Sequence, residues 1–168
     1  MSIHFVKGDM LEANLDYYCH QVNCQGRMGS GIAKQIKERW PVVYDGYMAS
    51  FEERRKEVEK LCGQWETQID VSETLLGHLQ QIQVNDKQTV INMFAQQYYG
   101  YDGKRYTSYD AFWACLGGIR DSVPKGSKIG FPAKIGCGLG GANWNVIRTM
   151  IEEVLGEDYE VYIYELEV

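Results

Sequence analysis

Histidine and closely paired cysteines are scarce in this sequence. Its 168 residues include three histidines and five cysteines, and no two cysteines form a CxxC pair. Structural metal sites need such closely spaced ligands, so we predict no metal site. The odd number of cysteines favours free thiols in a reducing compartment. The five are Cys19, Cys24, Cys62, Cys115 and Cys137.

The sequence also lacks an excess of positive charge and any long apolar run. Lysine and arginine number 17 against 23 aspartates and glutamates, which gives a formal net charge of −6. A nucleic-acid partner is therefore disfavoured, whereas a small anion held by backbone N–H groups stays possible. No segment is long enough to span a membrane, and the apolar run at the N-terminus is too short for a signal peptide. We therefore expect a cytosolic protein with no membrane partner.

Short apolar segments typical of strands alternate with amphipathic segments typical of helices. Strands are predicted at residues 3–6, 17–23, 77–84, 88–95, 127–133 and 159–166. Helices are predicted from Ser30 to Trp40, over 42–60, from Thr107 with Asp110 in a capping box, and over the stretch that ends at Gly156. The alternation predicts one α/β domain over residues 1–168 with a mainly parallel sheet.

Helical spacing also predicts which side chains face the core. In the helix that follows Thr107, one face carries Tyr109, Phe112, Trp113, Leu116 and Ile119. The last strand is apolar on both faces, so we expect it to lie inside the sheet, covered by helices.

Two glycine-rich stretches each connect a strand to a helix. They are 23-NCQGRMGSGIA-33 and 135-IGCGLGG-141. Such stretches serve either as tight turns or as anion cradles, because glycine removes the Cβ that would keep a phosphate away from backbone N–H groups. Neither stretch matches GxxxxGK[ST], so a P-loop fits poorly, and the GxGxxG letters at Gly136, Gly138 and Gly141 are by themselves a weak signal for a Rossmann dinucleotide site.

Four segments, taken in order, resemble those of macrodomains over essentially the whole chain. They are 6-VKGDM-10, 20-HQVNCQGRMGSGIA-33, 131-FPAKIGCGLGGANW-144 and the final 162-YIYEL-166. Within that family the chain resembles the branch of ADP-ribose-1″-monophosphate phosphatases and terminal ADP-ribose protein glycohydrolases. The resemblance implies a three-layer α/β/α sandwich with a mixed, mostly parallel sheet of about six strands. It also implies ADP-ribose or a derivative as the ligand, no cofactor, and a monomer.

The resemblance assigns roles to individual residues. Asp9 would accept a hydrogen bond from the adenine amino group, Asn23 would hold the hydroxyls of the distal ribose, and Tyr164 would lie against adenine. A turn aspartate and a core tyrosine are the alternatives for the first and last. The remaining residues expected to contact the ligand, mainly through the two glycine loops, are Met10, Gly29, Gly31, Ile32, Ile135, Gly136, Cys137, Gly138, Leu139 and Gly140.

The chemistry implied by the resemblance depends on where this sequence departs from the family. Glycohydrolase members use a lysine and an acid at positions that here carry Gln96 and Gly140, which counts against removal of ADP-ribose from proteins. His20 falls where phosphatase members carry a catalytic histidine, and Asp102 could be its acidic partner. The leading hypothesis is hydrolysis of ADP-ribose-1″-phosphate to ADP-ribose and phosphate. A deacylase using the same pocket and a non-catalytic ADP-ribose reader are the alternatives.

Overall fold

The computed structural model describes residues 2–62 and 71–166, and six strands and five α-helices lie in these ranges. The strands are β1 (Ile3–Lys7), β2 (Tyr17–Asn23), β3 (Leu79–Gln83), β4 (Thr89–Gln96), β5 (Lys128–Pro132) and β6 (Glu160–Glu165). The helices are α1 (Gly31–Arg39), α2 (Pro41–Cys62), α3 (Val71–Leu75), α4 (Tyr109–Ser122) and α5 (Trp144–Leu155), and a 3-10 turn covers Met10–Glu12. None of the described helices is both long and apolar enough to cross a membrane.

The six strands form one mixed sheet in the order β1-β6-β5-β2-β4-β3. All neighbouring pairs are parallel except β3 and β4, which are antiparallel. The predicted mostly parallel sheet of an α/β/α sandwich is therefore confirmed. Strand β6 lies between β1 and β5, as its two apolar faces predicted, because a strand inside a covered sheet needs no solvated face.

Two apolar cores lie on the two faces of the sheet. One packs α4 and α5 against residues such as Cys19, Ile91 and Phe131. The other packs α1 and α2 against residues such as Tyr18 and Phe94. Because side chains alternate along a strand, neighbouring residues of β2 and β4 supply opposite cores, which produces the three-layer arrangement.

The start of α4 differs from the prediction by one residue. Ser108, not Thr107, is the N-cap, and its hydroxyl oxygen accepts a hydrogen bond from the N–H of Ala111 at 3.1 Å. Serine and threonine are both good N-caps, so local sequence could not choose between them. The predicted buried face was wrong at Trp113, which is 48% exposed. The smaller Cys115 is fully buried in that helix instead.

Candidate functional site

Two adjoining cavities form one cleft at the carboxyl ends of β2, β4 and β5. The first, of about 290 Å³, is called the tyrosine cavity because Tyr99 and Tyr101 line it. The second, of about 430 Å³, is called the glycine cavity because Gly136, Gly138 and Gly140 of the second glycine loop line it. Both cavities share five lining residues: Gln21, Ser30, Ala33, Gln96 and Leu139. Ligands of parallel α/β sheets bind at this edge, where loops leave the strands.

The second glycine loop folds back on itself and leaves several N–H groups without an acceptor. Inside the loop, the N–H of Gly141 donates to the carbonyl of Gly138, and that of Ala142 to the carbonyl of Gly136. In contrast, the N–H groups at four other positions have no acceptor within the described residues: Gly136, Gly138, Leu139 and Gly140. All four residues line the glycine cavity. Such a set of unpaired donors is suited to an anion.

The backbone of this cleft requires glycine at two positions in particular. Gly136 has a φ of 76° and Gly31, the first residue of α1, has a φ of 57°. These are left-handed conformations, which side chains with a Cβ disfavour. Lys134 is the one non-glycine residue of the described ranges with a positive φ, at 60°, and it also lines the glycine cavity. Backbone strain of this kind is concentrated at binding sites.

The N-terminus of α1 opens onto the same cleft. Ser30 is its N-cap, yet the serine side chain makes no capping hydrogen bond. The N–H groups of a first helical turn have no partner inside the helix, so those of α1 remain available for a ligand. Ser30, Gly31, Ile32 and Ala33 all line the glycine cavity.

The first glycine loop is shaped by Asn23. Its Oδ1 accepts hydrogen bonds from the N–H groups of Gln25 at 3.0 Å and Arg27 at 3.3 Å, and its Nδ2 donates to the carbonyl of Arg27 at 2.8 Å. Buried Tyr47 braces the same loop, because its hydroxyl donates to the Asn23 carbonyl and accepts from the N–H of Gly26. Asn23 lines the tyrosine cavity, but here its amide organises the loop.

A hydrogen-bonded chain under the cleft joins β2 to the second glycine loop. The Nε2 of Gln21 donates to the hydroxyl of Thr107 at 2.8 Å, and that hydroxyl donates to the carbonyl of Gly136 at 2.8 Å. Gln21 Nε2 also donates to Gln96 Oε1 at 2.9 Å. The N–H of Thr107 reaches the carbonyl of Gly140. Thr107 is 2% exposed, so it fixes the loop from below.

Replacing Thr107 with valine should therefore weaken the fold around this loop. The variant leaves the Gly136 carbonyl without its hydroxyl partner, and we expect the free energy of unfolding to fall by about 1–2 kcal/mol. Chemical denaturation measures the change. Thr107→Ser keeps the hydroxyl and should retain most of the stability; a smaller loss in Thr107→Val than in Thr107→Ser would contradict the role of the hydroxyl.

The cleft is locally positive although the chain is acidic overall. Its lining residues include Arg27 in the tyrosine cavity and Lys134 in the glycine cavity, and they include no aspartate, glutamate or histidine. The formal net charge of the chain is −6. The carboxylates thus lie elsewhere, and the cleft suits a small anion better than a cation. No cluster of metal-binding side chains occurs among the described residues.

His20 does not reach the cleft, which corrects its expected catalytic role. The side chain is fully buried on the face of β2 opposite Gln21, and its Nε2 lies 2.5 Å from Asn92 Oδ1. Burial lowers the pKa of His20 to about 4, with a smaller opposing effect of the Asn92 hydrogen bond. A side chain without solvent contact cannot transfer a proton to a ligand in the cleft.

Asp102 is likewise not a partner of His20. It lies in the exposed loop after β4, where its Oδ1 accepts hydrogen bonds from the N–H of Lys104 and the hydroxyl of Tyr106. These two bonds, the backbone one first, lower the pKa of Asp102. Its role in this structure is to close the loop.

The other expected ligand contacts divide into two groups. Gly29, Gly31, Ile32 and Ile135 line the cleft, as do Gly136, Gly138, Leu139 and Gly140 of the second loop. Asp9, Met10, Cys137 and Tyr164 are absent from the lining of both cavities. The Asp9 carboxylate caps the 3-10 turn by accepting from the N–H of Leu11 at 2.9 Å, and Met10 is buried. Tyr164 is half-buried and stacks on Tyr162.

Sequence reasoning missed Gln21, Thr107, Tyr99 and Tyr101. The alternation of β2 could have indicated that Gln21 shares a face with Asn23, since every second residue points to the same side. The tyrosines carried a weaker signal, namely an aromatic run in a polar loop. The position of that loop over the cleft depends on a long-range hydrogen bond, in which the N–H of Tyr99 donates to Gln25 Oε1 at 3.0 Å. A local sequence pattern does not reveal such a bond.

Comparison with known proteins identifies distant relatives. No protein-family model matches the chain. The DNA ADP-ribosyl glycohydrolase of Thermus aquaticus is 26% identical over 171 residues, which cover 97% of this chain and 41% of that protein. The ADP-ribose 1″-phosphate phosphatase of Scheffersomyces stipitis is 30% identical over 67 residues, or 36% of this chain and 39% of that protein. The chain therefore matches about two fifths of each relative's length.

Solved structures match the chain over nearly all its length. The macrodomain of Thermus aquaticus DarG has a TM-score of 0.68 at 22% identity, covering 96% of this chain and 97% of its own. Thermosipho africanus DarTG in complex with ADP-ribose has a TM-score of 0.71 at 18% identity, covering 98% of this chain and 41% of its own. The chain thus has the macrodomain fold, and the resemblance found in the sequence is confirmed.

Proposed function

We propose that this macrodomain binds ADP-ribose in the cleft, with the diphosphate in the glycine cavity. The observation that carries the proposal is the group of unpaired N–H donors in the second glycine loop, which faces the uncapped N-terminus of α1. Phosphate oxygens accept several hydrogen bonds and carry the negative charge that a helix N-terminus favours. Lys134 adds a cation on the same side. The Thermosipho africanus structure, which is a complex with ADP-ribose, supports the choice of ligand.

The lining of the tyrosine cavity is suited to the distal ribose. Asn23 and Gln96 bring amides to its floor. Each amide nitrogen donates one hydrogen bond within the chain, and its second N–H can donate to a sugar hydroxyl. The adenosine would then extend from the glycine cavity past Ile32 and Pro132, toward the ends of β6 and β1. Asp9 and Tyr164 lie near those strand ends, outside the lining of the two cavities.

Asp9 offers a test of the adenine position. One of its carboxylate oxygens caps the 3-10 turn, and the other makes no hydrogen bond within the described residues. In Asp9→Asn the amide oxygen can still cap the turn, whereas the amide nitrogen cannot accept from the adenine amino group. We expect ADP-ribose affinity to fall about tenfold, the scale of a hydrogen bond to a charged group. Calorimetry with ribose 5-phosphate, which has no adenine, should show no change; an equal loss for both ligands would mean that Asp9 acts through the fold.

Hydrolysis of an ADP-ribose derivative is the second candidate function. The relatives named above are a glycohydrolase and a phosphatase, both hydrolases, and the Thermus aquaticus match covers almost the whole of this chain. Dephosphorylation of ADP-ribose-1″-phosphate is the specific reaction that we propose for this candidate. The lining side chains supply no carboxylate or imidazole, so the commonest general bases are not among them. Any catalysis would depend on backbone donors, Arg27 and a water positioned by Asn23 or Gln96.

Two measurements on one preparation test both candidates. Calorimetry should show ADP-ribose binding more tightly than AMP or ribose 5-phosphate, since each of these fills only part of the cleft. Failure of ADP-ribose to bind would contradict the proposed function. Phosphate release from ADP-ribose-1″-phosphate then tests the specific reaction: binding with turnover identifies a phosphatase, and binding without turnover contradicts that reaction and leaves a reader or a hydrolase of another ADP-ribose derivative.

A further inference from the structure

The loop between β4 and α4 presents two tyrosines to the cleft that the proposed contacts to ADP-ribose do not use. Tyr101 is 72% exposed and Tyr99 is 39% exposed, and their rings meet edge to face with centroids 6.4 Å apart. Both line the tyrosine cavity. Large aromatic side chains exposed in a concave site are typical of surfaces that bind a ligand.

Several contacts hold this loop in place over the cavity. Gln25 Oε1 accepts from the N–H of Tyr99, and Gln96 Nε2 donates to the carbonyl of Tyr98 at 2.7 Å. The Asp102 carboxylate closes the far side of the loop by accepting from the Tyr106 hydroxyl at 2.8 Å. These hydrogen bonds fix the backbone of the loop that carries the two tyrosines. Their exposure is therefore a feature of an ordered loop.

The other groups around the tyrosine cavity favour a flat ligand. Arg27 also lines this cavity, and its planar guanidinium can stack on a ring as an aromatic side chain does. Leu139, which is 46% exposed, adds an apolar surface where this cavity meets the glycine cavity. A sugar alone needs hydroxyl partners, which Asn23 and Gln96 provide, and leaves the two tyrosine rings uncovered.

We infer that the tyrosine cavity binds a planar aromatic group attached to C1″ of the distal ribose, so that the preferred ligand is a ring-substituted ADP-ribose. This inference rests on the proposed binding of ADP-ribose in the cleft. The ring stacks on Tyr99 or Tyr101 while the diphosphate occupies the glycine cavity. Two sources carry such a ring: free nicotinamide dinucleotides, and ADP-ribose attached to a nucleoside base.

A matched pair of synthetic ligands tests the preference for a flat ring. Calorimetry compares 1″-O-phenyl-ADP-ribose with 1″-O-cyclohexyl-ADP-ribose, which has a similar size but is not planar. We expect the phenyl compound to bind about tenfold more tightly, within the range that base–aromatic stacking contributes. Equal affinity of the two compounds, with ADP-ribose itself binding, would overturn the inference and leave the proposed function intact. Failure of ADP-ribose to bind would instead contradict the proposed function.

Variants of the loop assign the preference to its tyrosines. In the double variant Tyr99→Leu and Tyr101→Leu, the phenyl and cyclohexyl compounds should bind equally tightly, and this ratio cancels any change in the affinity for their shared ADP-ribose part. Tyr98→Leu is the matched control, because Tyr98 lies in the same loop but lines a different cavity. A phenyl preference that survives the double variant would overturn the inference. Parallel titrations with NAD⁺ and with an ADP-ribosylated nucleoside then distinguish the two sources, and weaker binding of both than of ADP-ribose would also count against it.

Discussion

Gly138→Val is expected to lower the affinity for ADP-ribose at least about a hundredfold while the protein stays folded. A Cβ at Gly138 would meet no atom within 4 Å, and the residue is not among those with positive φ. The backbone therefore accepts a side chain without strain. The added methyl groups would, however, occupy the glycine cavity where we place the diphosphate, and a phosphate cannot approach N–H groups through a Cβ.

A series of variants makes this prediction sharper. Gly138→Ala adds one methyl group and should cause an intermediate loss, whereas Gly117→Val places the same valine on α4, outside the cleft, where a Cβ also meets nothing within 4 Å. Calorimetry with ADP-ribose and thermal unfolding are measured on all three. Unchanged binding by both Gly138 variants would show that the second glycine loop is not the diphosphate site.

Much of the fold could be predicted because its signals are local. Strand β2 was placed at its observed bounds, since a segment rich in tyrosine and valine runs there into the glycine-rich stretch. Both glycine loops were found for the same reason. The exact first residue of a helix was harder to predict: Thr107 was expected to cap α4, and the N-cap in the structure is Ser108. The predictions made no statement about residues 63–70, and the structure does not describe them.

The parts of the site that could not be predicted depend on contacts between distant segments. Thr107 fixes the second glycine loop through the carbonyls of Gly136 and Gly140, and no local pattern reveals that approach. The face of β2 on which each side chain lies could, in contrast, be predicted from the sequence. Regular alternation placed His20 opposite Asn23, and the irregularity in the pairing with β4 comes only after Val22, too late to turn His20 into the cleft.

The buried environment of His20 accounts for its lowered pKa. Asn92 donates through Nδ2 to Gln80 Oε1 at 3.0 Å, so its Oδ1 is the acceptor that faces His20. His20 Nε2 must then carry the proton, and Nδ1 has no hydrogen-bond partner. A second proton on Nδ1 would place a charge in the core with no acceptor, and its neighbours Asn92 and Gln80 are uncharged.

His20 should therefore make the fold sensitive to acid without affecting ligand binding. Its pKa of about 4 in the folded protein lies below the ordinary value of 6.5. Between these values the unfolded chain binds a proton that the native protein refuses, so stability falls as the pH drops through this window. Linkage gives a loss in the free energy of unfolding of about 2 kcal/mol from pH 7 to pH 5 and of about 3 kcal/mol from pH 7 to pH 4.

In His20→Gln, urea unfolding across this range should lack that part of the pH dependence, because an amide can donate to Asn92 without titrating. The affinity for ADP-ribose at pH 7 should be unchanged in the variant. Identical pH dependence in both proteins would contradict a neutral buried His20, and a large loss of affinity or turnover in a stable variant would return His20 to the chemistry of the cleft.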